Sequence, residues 1–459
     1  MTNNPPKKNY VSTTNACKLC TPLGASLAFK GVEGAVPFLH GSQGCATYMR
    51  RYIISHYREP IDIASSALGE KNAIYGGGPN LKKGILNVMK KYNPTMVGVA
   101  STCLTETIGD DMRLILHEFR QEFGDLDLPD VVHVSTPSFQ GTHSDGFHLA
   151  VHAMVDQLAD PAAAKGEVTA DRVAVFPGMT TPGNIRVIKD VVREYGLTAT
   201  ILPDVSETLD GPTLEDYEPI APGGTPVKEI KALPGVFASL EFGSCLLPKT
   251  GGICLEDRFG VSNHRLPVPL GIRGADALHE VLCEIAALDD MPRRYELERG
   301  RLVDAYVDGH KYVFGKKAVV YGDENLVVAV TAFLAEIGIR PVLVGTGAEG
   351  KGVAKAIESL CGDLLPEMPV VREGVDFYDI AAEAGTMSPD IVFGNSKGQR
   401  YAREWNVPLV RLGFPIHDRF GGQRLKTFSY EGTQELYDRV VNALIAKKQS
   451  DSPIGWGYI

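Results

Sequence analysis

What this chain lacks narrows its function before any motif is considered. Its 459 residues contain no run of eighteen apolar residues, so nothing in the sequence reads as a membrane-crossing helix. The start, MTNNPPKKNYVSTTN, has no apolar signal-peptide stretch and reads as a short polar arm, which points to the cytoplasm. Positive charge is scarce: 46 Lys and Arg against 56 Asp and Glu leave a net charge of −10. That balance gives no general attraction to nucleic acid or to an anionic membrane surface. The phosphate-loop pattern GxxxxGK[ST] is absent as well. Gly76-Gly77-Gly78 lacks the Lys-Ser/Thr that would follow, so ATP is not expected to bind through such a loop. Cysteine is sparse, eight in the whole chain, which excludes a disulfide framework and leaves metal or redox use for any that cluster.

What is present is an ordinary globular composition, 44% hydrophobic and 22% charged, in a chain long enough for about two to four domains. Strand and helix patterns alternate. TMVGVAST (95–102) reads as a buried strand before the helical stretch DDMRLILHEFRQEF, and VVHVSTPSF (131–139) as a strand before a helix at Asp145–Leu158. LADPAAAKGEVTADR has the small-residue look of a linker. A β-α-β unit begins at Val173 with VAVFPG, NIRVIKDVVREYG and TATILPD, and another at KAVVYGDE, NLVVAVTAFLAEIG and RPVLVGTG. Gly196 and Gly338 stand where a helix should stop. The expected fold class is α/β: three Rossmann-like domains, with parallel sheets flanked by helices, over 1–170, 171–311 and 312–459.

Three cysteines lie on turn-like segments rich in Gly, Pro, Ser or Thr: Cys20 in CTPLGA, Cys45 closing HGSQGC and Cys103 in STCLTETIGDD. Turns of this kind expose backbone N–H groups, which hydrogen-bond the sulfides of an iron–sulfur cluster while thiolates bind its iron. Free cysteine usually ends as a small buried hydrophobe, but three in such turns favour ligation. Because these loops follow predicted strands, all three fit one rim of a sheet, at the carboxyl ends where α/β folds bind ligands. A cubane wants four thiolates, so either Cys17 of the Cys17-x-x-Cys20 pair is the fourth or another chain supplies the rest. Ser138 in TPSFQGTH reads as a turn or N-cap serine that can also ligate a ferric site as an alkoxide. His40 reads as a hydrogen-bonding turn histidine. The helix after Cys45 carries Arg50, Arg51, His56 and Arg58 on an expected solvated or subunit-facing surface. Cys245, Cys254, Cys283 and Cys361 are expected to be structural, the last two in helix cores. GDENL and GTGAEGKG resemble generic nucleotide-fold turns and receive no ligand.

In order and spacing, CTPLGA, HGSQGC, STCLTETIGDD and TPSFQGTH resemble the β-type subunits of the nitrogenase component-1 family. The likeness continues through DVSETLDGPTLEDY and GGTP to VPLVRLGFPIHDRFG and covers nearly the whole chain. Within the family, ACKLCTPLGA, GGTP, GTQELYDRVVNALI and the SPIGWGY tail lean toward the branch that assembles the iron–molybdenum cofactor. Catalytic β subunits of nitrogenase and of methylthio-alkane reductase are near relatives. The resemblance implies three Rossmann-like domains and an α2β2 heterotetramer with an α-type partner, either of the NifE-like assembly kind or a catalytic α chain. It also implies an ATP-dependent iron protein as reductase. It places an iron–sulfur cluster at the α–β interface, a P-cluster [8Fe–7S] in catalytic members and a [4Fe–4S] cluster in the assembly branch. The matching positions are Cys20, Cys45, Cys103 and Ser138. Well-known assembly chains keep only the cysteine of HGSQGC; this chain departs from them by keeping all three with Ser138, which suits half of a P-cluster. The expected function is the β-type subunit of the cofactor-assembly scaffold, relaying electrons through the interface cluster, with a catalytic β subunit as the alternative.

Overall fold

A computed structural model describes residues 17–165 and 169–454. The polar arm before Cys17, three residues of the expected linker and the end of the SPIGWGY tail lie outside them. The described chain is a mixed α/β structure with three parallel sheets flanked by helices. The first sheet holds β1 (Ala35–His40), β2 (Ala64–Ser65), β3 (Met96–Ser101) and β4 (Asp130–Val134) in the order β2-β1-β3-β4. The second holds β5 (Thr169–Phe176), β6 (Thr198–Ile201), β7 (Val236–Phe242) and β8 (Ser262–Leu266) in the order β6-β5-β7-β8. The third adds a strand: β9 (Lys317–Gly322), β10 (Arg340–Thr346), β11 (Val370–Arg372), β12 (Ile391–Gly394) and β13 (Leu409–Arg411), ordered β11-β10-β9-β12-β13. In each sheet the order reverses at the first strand, so the loops after that strand and its neighbour open a crevice at the carboxyl edge.

Local chemistry explains these elements. β1 and β3 are buried along their whole length, as a parallel strand covered on both faces must be. Gly196 and Gly338 take φ of +73° and +77°, the left-handed stop expected of them. Two expectations shift. The strand at 131–139 ends at Val134, because Thr136 leaves the ladder: its N–H donates to Ser101 Oγ and its hydroxyl to the Ser101 carbonyl. The end of the expected linker, Thr169–Arg172, already belongs to β5; its first three side chains are exposed, so no apolar run marks it.

One hydrophobic core joins the first two sheets, running from Leu23 and Phe29 through Phe147 and Val151 to Val175 and Leu240. The outer face of the first sheet packs separately around Phe38 and Phe119. The third sheet has its own cores, one around Phe333 and Phe393 and another around Tyr321 and Phe377. No helix among the described residues is long and apolar enough to cross a membrane.

Candidate metal centre

The first sheet brings three of the four expected positions together by register alone. His40 at the end of β1 pairs with Ser101 at the end of β3, and Ala100 of β3 pairs with Val134 at the end of β4. Parallel neighbours that end level deliver their next loops to one rim. Those loops carry Cys45, Cys103 and Ser138. The His40 carbonyl fastens two of them, accepting from the Thr102 amide at 3.1 Å and from the Thr102 and Thr105 hydroxyls at 3.1 and 2.9 Å. Gly41 makes this approach possible, since a Cβ there would lie 2.2 Å from Thr102 Oγ1. His40 itself is a structural histidine, its ring nitrogens 3.0 Å from Ser66 Oγ and 3.1 Å from Asp110 Oδ2. Burial holds its pKa below the usual value despite Asp110.

Cys20 reaches the same rim from outside the sheet. It is the N-cap of the helix Thr21–Lys30, which crosses the helix His143–Leu158 with almost no side chain between them. A Cβ on Gly24 would sit 1.7 Å from the His143 carbonyl oxygen, and one on Gly146 would sit 1.9 Å from that of Thr21. Ser138 then ties the rim together: its amide donates to Cys103 Sγ at 3.2 Å, and its hydroxyl accepts from the Thr21 amide at 3.2 Å. The Cys20 thiol is pushed up by burial, helped by the neighbouring Cys103 and Cys45, while the Ser138 hydrogen bond and Lys397 oppose the shift.

All three cysteines begin helices rather than sitting in open turns. Cys103 is the first residue of Cys103–Ile108, and Cys45 is the third residue of Gln43–Tyr57, two places inside a helix expected to start after it. Helix starts present unpaired N–H groups and a positive dipole end, both favourable to thiolate. Around them Tyr48 is 38% and Phe139 63% exposed, apolar surface beside the cysteines that this chain does not cover. Among the described residues no three His, Cys, Asp or Glu are grouped to hold a single metal ion. The donor set fits a larger multi-iron group instead: three thiols and a hydroxyl spread along one open rim, leaving further ligands to come from elsewhere.

Cys17 is elsewhere. It is 5% exposed and packs with Tyr321, Leu343 and Phe377 in the core of the third sheet. Burial pushes its thiol up to about 12, and the charged sulfurs that act on Cys20 are Cys103 and Cys45, not Cys17. Sequence reasoning passed over Lys397, which reaches the site from the short 3-10 turn after β12. Its Nζ lies 5.8 Å from the ring centroid of Tyr52, a residue on the Cys45 helix, and its charge acts on both Cys20 and Cys17. No local motif marks it, because the third unit brings it there. His56, expected on a charged surface, is buried: its Nδ1 accepts the Ile416 amide at 2.8 Å. Cys245, Cys254 and Cys361 are buried, whereas Cys283 is only half-buried.

With this geometry in view, comparison with known proteins gives a consistent answer. Residues 20–445 match the family described as nitrogenase component 1 type oxidoreductase. The chain is 32% identical to the nitrogenase molybdenum-iron protein beta chain of Clostridium pasteurianum, covering 94% of this chain and 93% of that one. It is 31% identical to the nitrogenase iron-molybdenum cofactor biosynthesis protein NifN of Rhodobacter capsulatus, covering 97% and 94%. A solved structure, nitrogenase Cp1 at pH 6.5, superposes with a TM-score of 0.93 at 30% identity over 98% of both chains. The chain therefore belongs to the nitrogenase component 1 type oxidoreductase family and is of the nitrogenase β-subunit type.

Proposed function

We propose that this chain is the β-type subunit of a nitrogenase-like reductase, holding half of an iron–sulfur cluster shared with an α-type partner in an α2β2 assembly. The observation that carries this reading is the meeting of Cys20, Cys45, Cys103 and Ser138 at one rim that remains open on its outer side. Cys20, Cys45 and Cys103 would hold iron as thiolates, and Ser138 would supply its hydroxyl oxygen. The group supplies one-electron transfer when bound, relaying electrons from an ATP-dependent iron protein toward the partner chain. The protein's own contribution is positional. Helix-start N–H groups and Lys397 hold negative charge at the rim, while burial of Cys20 limits water there. The glycine turn at Gly76–Gly78 is not a nucleotide cradle, because the Gly77 amide already donates to both oxygens of Asp110 at 3.1 and 3.0 Å.

A second reading, a NifN-like assembly scaffold with a [4Fe–4S] cluster and a NifE-like partner, is favoured by the nearly full-length similarity to the NifN protein. Anaerobic co-purification with the α-type partner tests both. Iron content and EPR of the oxidised complex are expected to report an eight-iron cluster at each interface, together with substrate reduction when the iron protein and ATP are added. A four-iron cluster without reductase activity supports the scaffold. A lone chain that binds a stoichiometric [4Fe–4S] cluster overturns the shared site altogether.

A further inference from the structure

A cavity lies where the carboxyl ends of the second and third sheets face the helix His143–Leu158. Its volume is about 80 Å³, and it is reached by the loops after β5, β9 and β13. An engineered cavity of about 150 Å³ accommodates benzene, so this one suits a molecule of roughly half that size. Most of the wall is apolar, with Phe242, Leu270, Leu412 and Phe414 among the lining residues.

Some polar groups on this wall keep unused hydrogen-bonding capacity, whereas Asn184 and Thr181, which also line it, are hydrogen-bonded. His148 and Ser144, one turn apart on the same helix face, line the cavity, are 7% and 1% exposed, and their side chains make no hydrogen bond among the described residues. His56 Nδ1 accepts the Ile416 amide, so its proton sits on Nε2, a donor without an acceptor among the described residues. Asn325 spends its carbonyl oxygen on the Cys245 amide at 2.8 Å, and its NH2 group has no partner among the described residues. Asp323, also on the wall, caps the helix Glu324–Glu336, and its carboxylate is held by the amides of that first turn. Buried polar groups are nearly always paired, and each one left alone is costly. Four such groups on one small cavity, at the edge where α/β folds bind ligands, mark a site.

We propose that this cavity binds a small uncharged molecule of the primary-amide type, with a carbonyl oxygen to accept and N–H groups to donate. The carbonyl suits the donors His56 Nε2–H and the Asn325 amide; the N–H groups suit the Ser144 hydroxyl oxygen and an imidazole nitrogen of His148. A carboxylate ligand would lack those donors and would meet Asp323. A small ammonium ion has no oxygen to accept from His56 Nε2–H and the Asn325 amide, and the Asp323 carboxylate is already engaged by the amides of its helix.

The test uses the chain in its complex, with acetamide as probe and acetate and methylammonium as controls, read by saturation-transfer NMR and by crystal soaking. Acetamide should show saturable transfer and appear in the cavity, while the two ions should not. His148→Phe, which fills the space, should abolish binding, and Ser144→Ala should weaken it by about tenfold. Should His148→Phe fail to fold, Ser144→Ala alone decides. Water only in the cavity, equal binding of acetate, density in crystals without saturable binding in solution, or no effect of the variants would each overturn the proposal. None of these readouts depends on iron, so loss of the cluster reading leaves the test intact.

Discussion

The helix starts at the cysteine rim and those in the rest of the chain are built alike and finished differently. The Cys20 and Ser42 side chains accept nothing from their helix amides and neither first turn holds an acid, whereas the Cys103 helix keeps Glu106 in its first turn. In the second and third units the chain's own carboxylates take that place. Glu241 accepts from Gly252, Glu336 from Ile272 and Arg273, and Glu373 from Lys351 and Val353, while Asp323 and Asp376 cap their own helices. A helix start attracts negative charge. Where the protein supplies it internally, the start is a strut; at Cys20 and Cys45, where it does not, the proposed cluster would supply the negative charge. One α/β unit thus yields a ligand rim or a sealed joint according to which acids are present.

The sharpest way to break that comparison is to remove a thiol from each kind of place. Cys45→Ala should abolish the interface cluster, whereas Cys283→Ala should leave iron content unchanged by metal analysis of the anaerobic complex. Equal losses would erase the distinction. Cys17 tests it within a single CxxC pair: Cys17→Ser should retain full iron, because its sulfur belongs to the third sheet's core, and should instead lower thermal stability by about 1–3 kcal/mol. Iron falling as steeply as in Cys45→Ala would restore a four-cysteine site within the chain.

The sealed joints should show themselves in pH dependence. Burial raises Glu324 to about 7 and Asp323 to about 6, and Glu324 Oε2 is buried without a partner. The folded state therefore holds protons that the unfolded chain, with carboxyls near 4, has released. Stability from this source is full below about pH 4 and lost as pH rises through 6 to 7. Glu324→Gln should flatten that part of the profile in melting temperature, and an unchanged slope would remove Glu324 from the account. The smallest effect is expected at Asp376, which accepts from the Tyr378 and Asp379 amides at 2.8 and 3.0 Å. Asp376→Ala should cost about 1 kcal/mol by thermal unfolding and leave iron untouched.

Much of this was legible because it is local. The buried strands at 96–101, 173–176 and 317–322, and the glycine stops at 196 and 338, follow from apolar runs and a backbone conformation that only glycine adopts easily. The cysteine loops were legible for a similar reason: adjacent parallel strands that end level deliver their loops to one rim. What escaped depends on contacts between distant segments. His56 sits among Arg50, Arg51 and Arg58 in sequence, yet its ring meets an amide 360 positions away. Cys17 stands three residues before Cys20, but the third sheet claims it. Lys397 carries no motif, and its importance comes only from the fold that brings it to the Cys45 helix.

The glycine crossing beneath Cys20 has a consequence for any genetic survey of this protein. Gly24 and Gly146 touch no ligand, yet each contact lies closer than a methyl group allows. A single alanine at either place must wedge the two helices apart and carry Cys20 off the rim. Random mutagenesis scored by cofactor loss should therefore return hits at two silent-looking positions, as severe as hits at the cysteines and indistinguishable from them by phenotype alone.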